Sequence, residues 1–227
     1  MNILAELETY INEFNQHSNE DFAIDTIRIE YSKQHKKTKL EELGRWKKIN
    51  ANDSKILAKL KKRLAVDEVT SAYQLENSNI YYYNSSNPPK YNKATMVIFG
   101  MKQYHKDPPP REIIENILSV LTFGTSKVSI NLDVCLDLPY KPNMRYLEAF
   151  YSLKQYLYST YINEPDITMI EKIVIYNKQM KNSLNFVIWR IEAKIIIPNI
   201  KILALPLYEF QELIQLVKIN KQRAYYD

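Results

Sequence analysis

The sequence predicts an α+β fold: an antiparallel or mixed central sheet of about five or six strands, with helices packed on one face and the sheet's polar face carrying the site. Three observations predict it. Segments rich in β-branched residues alternate with segments of helical period, in the order α, β, αα, β, β, α, β, α, β, β, α. The stretch SINLDVCLDLP is apolar at every even position from Val128 to Leu138 and polar or small at every odd position from Ser129 to Asp137. Two further strand-like runs, EKIVIYNKQM (171–180) and LNFVIWRIEAKIII (184–197), are separated only by a short polar turn, as in a hairpin.

The elements follow in chain order. Ile3, Leu4, Leu7, Tyr10, Ile11 and Phe14 recur at helical spacing over 2–16. After the turn-like HSNED comes the strand AIDTIRIEY (23–31). Leu40 to Ile49 and Ser54 to Val69 read as two helices, the second with Ile56, Leu57, Leu60 and Leu64 on one side and a cap at Asp53 or Ser54. NIYYYN (79–84) and ATMVIFGM (94–101) read as strands around a loop whose paired prolines cannot sit in a central ladder. A helix starts near Pro110 and ends at Gly124, which suits a glycine just past a helix end. PNMRYLEAFYSLKQYLYSTYI (142–162) predicts a long helix capped by Asn143, and PLYEFQELIQLVKI (206–219) a closing one. The 227 residues suit a single domain, 1–227, with 33–78 as a basic helical insertion.

Composition narrows the function classes. One cysteine, Cys135, excludes an internal disulfide and a cysteine-based zinc site, and His17, His35 and His105 lack metal-ligand spacing. No apolar run reaches the roughly 18 residues of a membrane span, and the acidic N-terminus lacks signal-peptide character. These features predict a cytoplasmic protein without a membrane partner. The net charge is +5, yet 12 Lys/Arg against 3 Asp/Glu fall between Lys33 and Arg63. Either a polyanion uses that concentration or it is a solvated helical face.

Strand parity sorts the polar side chains. Asn131, Asp133, Cys135 and Asp137 point one way; so do Arg190, Glu192 and Lys194; so do Lys172, Tyr176 and Lys178. Carboxylates on two strands suit a hard cation whose remaining positions take water or phosphate. Cross-strand ion pairing, such as Lys172 or Lys178 opposite Glu192, accounts for the same spacing.

Three motifs, LDVCLDL (132–138), IVIYNK (173–178) and WRIEAKI (189–195), occur in an order that resembles the rolling-circle replication initiators of plasmids and filamentous phages. There, R-D-x-x-x-D precedes I-x-I-Y-D-K and then R-x-E. The resemblance implies a DNA nicking and joining enzyme that forms a 5′-phosphotyrosine link with Mg²⁺ or Mn²⁺. It implies Asp133, Asp137 and Glu192 as metal ligands, and Lys178 and Arg190 as catalytic groups; Asn177 replaces the usual acid beside the lysine. Ser159-Thr160-Tyr161-Ile162-Asn163 is the nearest match to the family's T-x-Y-x-G, which makes Tyr161 the implied nucleophile, with Tyr156 and Tyr158 as rivals. The His-hydrophobe-His motif of the other initiator branch is absent.

The implied partner is single-stranded or hairpin origin DNA, held through phosphates by Lys36, Lys37, Lys39, Arg45, Lys47, Lys48, Lys61, Lys62 and Arg63. Trp46, Tyr73 and Tyr81 to Tyr83 are candidates for stacking on unpaired bases. A homodimer and a host helicase stay open as further partners; the sequence contains no Walker motif of its own. Two other readings compete: a non-catalytic nucleic-acid-binding protein on the same fold, and a structural or interaction protein of a mobile element.

Overall fold

The computed structural model describes residues 2–32, 40–50, 57–58, 69–76, 78–85, 93–104, 106–124 and 128–218. Among them are five helices and ten strands: α1 (Ile3–Ser18), β1 (Ala23–Ser32), β2 (Trp46–Lys48), β3 (Val69–Leu75), β4 (Ile80–Ser85), β5 (Lys93–Phe99), α2 (Arg111–Thr122), β6 (Ile130–Leu138), α3 (Leu147–Phe150), β7 (Leu153–Tyr156), β8 (Ser159–Asn163), β9 (Ile170–Asn177), α4 (Lys178–Asn182), β10 (Trp189–Ile197) and α5 (Leu207–Lys218). The α+β class is as expected; the strands are ten rather than five or six. The additional strands are β2, β3, β7 and β8, of three to seven residues, whose polar and aromatic side chains hide a period of two. No helix is long and apolar enough to cross a membrane among the described residues.

The chain divides into two compact units. The first comprises Met1–Glu6, Thr26–Ile130 and Pro198–Lys201. Its strands run in the order β2-β3-β4-β5-β1, with antiparallel pairing at every step. Ala72, Tyr81, Tyr83, Val97 and Phe99 project from one side and bury each other together with Ile49. The helix expected over 40–49 is not formed there. Gly44 takes φ +148°, and a Cβ at that position would lie 2.9 Å from Leu75 Cδ1, so the chain turns where only glycine fits. Trp46 then pairs with Leu75, and its indole Nε1 donates to the Leu40 carbonyl at 2.8 Å. Most of the helix expected over 54–69 lies outside the described residues, and Val69 opens β3.

The second unit comprises Leu7–Asp25, Asn131–Ile197 and Ile202–Asp227, with strand order β6-β10-β9-β8-β7. Ile191, Ala193 and Ile195 of β10 and Ile173 and Ile175 of β9 are fully buried. Each of these isoleucines contributes about 1.5–3 kcal/mol of burial free energy. Phe14, Phe22 and Phe210 pack edge-to-face or tilted, which seats α5 against the segment after α1. Lys218, in the last turn of α5, holds both Glu20 oxygens, at 2.5 and 2.6 Å.

The long helix expected over 142–162 is instead the single turn α3 followed by the hairpin β7–β8. Tyr151 is already extended at the end of α3. Tyr156, Thr160, Tyr161 and Ile162 are strand formers, and Leu157 at the hairpin tip is 84% exposed, which an apolar helical stripe would not allow. Asn143 accepts from the Arg145 amide at 2.9 Å rather than capping a helix. Between β9 and β10, the expected short turn is α4: Asn177 caps it by accepting from the Met180 amide, and Ser183 ends it in the left-handed region.

Candidate functional site

The register of the second unit sets the site. In antiparallel pairs, directly opposed residues share a face. Lys154 faces Tyr161, Tyr161 faces Val174, and Val174 faces Glu192, so these four form one row across β7, β8, β9 and β10. At about 4.8 Å per strand, the Tyr161 and Glu192 backbones are about 10 Å apart. One adjacent row carries Tyr156, Ser159, Tyr176 and Arg190; the other carries Asn163, Lys172 and Lys194.

Arg190 has no solvent exposure. Its Nε and Nη2 donate to Asp137 Oδ1 and Oδ2, both at 2.7 Å, in the bidentate fork that matches guanidinium to carboxylate. Nη1 lies 2.8 Å from Asp25 Oδ1 as an ion contact rather than an aligned hydrogen bond. Burial alone would lower the guanidinium's pKa, but the Asp137 hydrogen bonds raise it above its ordinary value. The face expected to be open is therefore largely dry at β6, where Asp133 and Cys135 are buried.

Glu192 is the electrostatic outlier. Burial, then the charges of Asp133 and Asp25, push its carboxyl up to about 7, against the opposing influence of Arg190 and Lys181. Asp133 on β6 and Glu192 on the neighbouring β10 thus feel each other directly. The Tyr176 hydroxyl donates to Glu192 Oε2 at 3.2 Å, and burial with that carboxylate holds the phenol well above its usual range. Lys178 is buried at the foot of α4, and burial and Arg190 lower its pKa. Burial raises the Cys135 thiol in the same way.

Tyr161 is half-buried, with Tyr156 edge-on at 5.2 Å and Lys172 Nζ 4.9 Å from its ring centre. Burial and the facing Lys194 lower the Lys172 pKa. Lys194 is held at 2.6 Å by Glu171.

No protein-family model matches the sequence, and no curated protein matches it. Among solved structures, the rolling circle replication initiator protein from Geobacillus stearothermophilus aligns with a TM-score of 0.39 and 11% identity, over 79% of this chain and 74% of that one. The likeness is distant and assigns no residue.

Asp133, Glu192 and Asn131 are the side chains here that could offer oxygen to a hard divalent ion. Asp133 and Glu192 are two carboxylates whose mutual repulsion a cation would relieve. Asn131 Oδ1, on the same side of β6 as Asp133, is buried without a hydrogen-bond partner among the described residues. Among those residues no group of three or more His, Cys, Asp or Glu is placed to hold a metal. An ion here would complete its shell with water or phosphate. Asp137, the third expected ligand, has both oxygens engaged by Arg190.

Asp25 was not among the expected site residues. Its signal in the sequence is an acid in phase with Ile27 and Ile29, both 1% exposed, on the inner side of a strand. An acid there needs a buried partner. Of the expected phosphate contacts, Arg45, Lys47 and Lys48 are exposed, the last two on β2. Lys36, Lys37, Lys39, Lys61, Lys62 and Arg63 lie outside the described residues.

Proposed function

We propose that the chain is a tyrosine-type nicking and joining initiator of DNA replication, acting on a single-stranded or hairpin origin with Mg²⁺ or Mn²⁺. The observation that carries this reading is the row joining Tyr161 to Glu192, with the Asp133 charge acting on the same carboxyl. It brings a phenol and two acids, from segments far apart in the sequence, to one side of a sheet.

Asp133 and Glu192 would hold the ion, which when bound supplies charge neutralisation at the scissile phosphate. The Tyr161 oxygen attacks phosphorus; the Tyr161 O–P bond forms and the P–O3′ bond breaks. Lys172, beside the Tyr161 ring, receives the phenol proton on its amine, a state that its lowered pKa makes accessible. The departing 3′ oxygen takes a proton from solvent and becomes the free 3′-OH. Rejoining is the reverse. Arg190 is a positioning residue: buried against Asp137 and Asp25, it ties β10 to β6 and keeps Glu192 facing Asp133. Lys178 acts on the field at the same end of the site, where Arg190 and Asp137 are its charged neighbours.

A second reading, nucleic-acid binding without cleavage, draws support from the Arg190 cluster, whose charges are satisfied within the protein. Incubation with varied single-stranded oligonucleotides and Mn²⁺, followed by a denaturing gel, separates the two. A covalent protein–DNA band supports cleavage. DNA retention with steep salt dependence and no band supports binding alone.

A further inference from the structure

The face that carries Tyr161 also carries a second tyrosine that the nicking reading does not use. Tyr156 closes β7, the last strand in the sheet order, and it is 67% exposed. In the β7–β8 register Tyr156 stands opposite Ser159 and Lys154 opposite Tyr161, so Tyr156 and Tyr161 are diagonal neighbours on one face. Diagonal pairs lie about 7–8 Å apart, within reach of aromatic side chains. The two rings meet edge to face, with centroids 5.2 Å apart and planes at 85°. A perpendicular contact covers only part of a ring, so most of Tyr156 stays in water. A single exposed apolar residue is ordinary. Here Leu157 and Tyr158, next to it at the hairpin tip, are exposed as well.

Charge selects the occupant. On this face β7, β8 and the part of β9 paired with β8 carry two lysines, Lys154 and Lys172, and no carboxylate among the described residues. Lys154 is two residues from Tyr156 along β7, about 6.8 Å. Lys172 Nζ lies 4.9 Å from the centre of the Tyr161 ring. Glu171, where the β9–β10 register shifts, is engaged by Lys194 at 2.6 Å. An alkylammonium ion on Tyr156 would meet like charge from Lys154, and an apolar peptide would leave the lysines unanswered. A flat base carried on a phosphodiester satisfies both the ring and the lysines.

We propose that Tyr156 stacks on an unpaired base of the DNA strand and, with Lys154 on a neighbouring phosphate, holds the adjoining phosphorus at the Tyr161 hydroxyl. The proposal rests on the nicking reading only in taking that phosphate to be the scissile one. It gives Tyr156 a task different from attack: its ring is used and its hydroxyl is not. Every base has a flat face, so this contact sets position without reading sequence.

The test binds the full chain, without divalent metal, to oligothymidylates containing 5-iododeoxyuridine, a base that photo-cross-links to aromatic rings stacked on it. Mass spectrometry of the digested product names the residue, and Tyr156 is expected. By fluorescence anisotropy, Tyr156→Ala should weaken thymidylate binding about tenfold, and Tyr156→Phe and Tyr156→Trp should restore it to within about twofold of the parent. In Mn²⁺, the covalent adduct should fall in Y156A and return in Y156F. Cross-links only at other residues, no binding at low salt, or unchanged affinity in Y156A would overturn the proposal. Loss of affinity or of adduct in Y156F would also overturn it, by making the hydroxyl the working group. So would self-association, read by sedimentation, that Y156A abolishes while DNA affinity is kept, which assigns the ring to a protein interface. The two readings fail separately. A cross-link at Tyr156 with no adduct in the parent supports stacking and removes nicking; an adduct with no cross-link at Tyr156 removes stacking alone.

Discussion

Arg190 and Asp137 are joined by two bonds of 2.7 Å across a distance of 53 residues in sequence, and the guanidinium is entirely out of water. The pair ties β10 to β6, and with them Glu192 to Asp133. Removing one member of a buried ion pair strands the other and costs about 3–5 kcal/mol. Arg190→Met should destabilise the protein by about that amount in urea unfolding, because Asp137 and Asp25 both lose their cation. Arg190→Lys should recover only part, since a point charge cannot make the fork.

Glu192 gives a pH dependence of defined sign. Burial and the charges of Asp133 and Asp25 push its carboxyl up to about 7 in the folded chain, above the ordinary carboxyl value of 4.5. Between those values the folded state holds a proton that the unfolded state has lost, so stability falls as pH rises and the loss is complete above about 7. The contribution is about 3 kcal/mol. Glu192→Gln should therefore be more stable than the parent at pH 8 and similar to it below pH 4. Equilibrium unfolding at both pH values checks this.

Metal occupancy has a readout apart from cleavage. An ion shared by Asp133 and Glu192, as proposed, would bind only the folded chain, so Mn²⁺ should raise the thermal midpoint at pH 8. The rise should shrink in Asp133→Asn and Glu192→Gln. An equal rise in all three proteins would place any bound ion elsewhere.

Lys154 and Lys172 adjoin Tyr161 on its own face. If a phosphate sits there, replacing either with alanine should weaken DNA binding and reduce the slope of log K against log salt by about one. Titrations at several salt concentrations give that slope. An unchanged slope would remove these lysines from the DNA path.

Much of this arrangement is readable in the sequence. The alternation of β6, β9 and β10 fixes which side chains share a face, because a strand's period of two leaves only two choices. The resemblance carried by the three motifs implies a shared role for Asp133 and Glu192, and β6 lies next to β10. The β7–β8 hairpin was not readable. Leu147, Phe150, Leu153, Leu157 and Tyr161 fall near helical spacing, although Phe150 and Leu157 end exposed. Strand propensity in Tyr156, Thr160 and Ile162 decides the segment once β9 offers an edge. That error changed the meaning of Tyr161, which lies in a sheet row with Glu192 and not on a helix. For Asp25 the phase with Ile27 and Ile29 marks an inward-facing acid but names no partner; the tertiary pairing with Arg190 gives it a role.

If Tyr161 is the nucleophile of the proposed metal-dependent strand transfer, its hydroxyl is required for a covalent protein–DNA link. The most direct measurement is covalent capture of single-stranded oligonucleotides in Mn²⁺, compared among the parent chain, Tyr161→Phe and Tyr176→Phe. An adduct is expected with the parent and with Y176F, because the buried Tyr176 hydroxyl donates to Glu192, and none with Y161F. An adduct that survives in Y161F, or the absence of any adduct from a folded, DNA-binding parent chain, would contradict it.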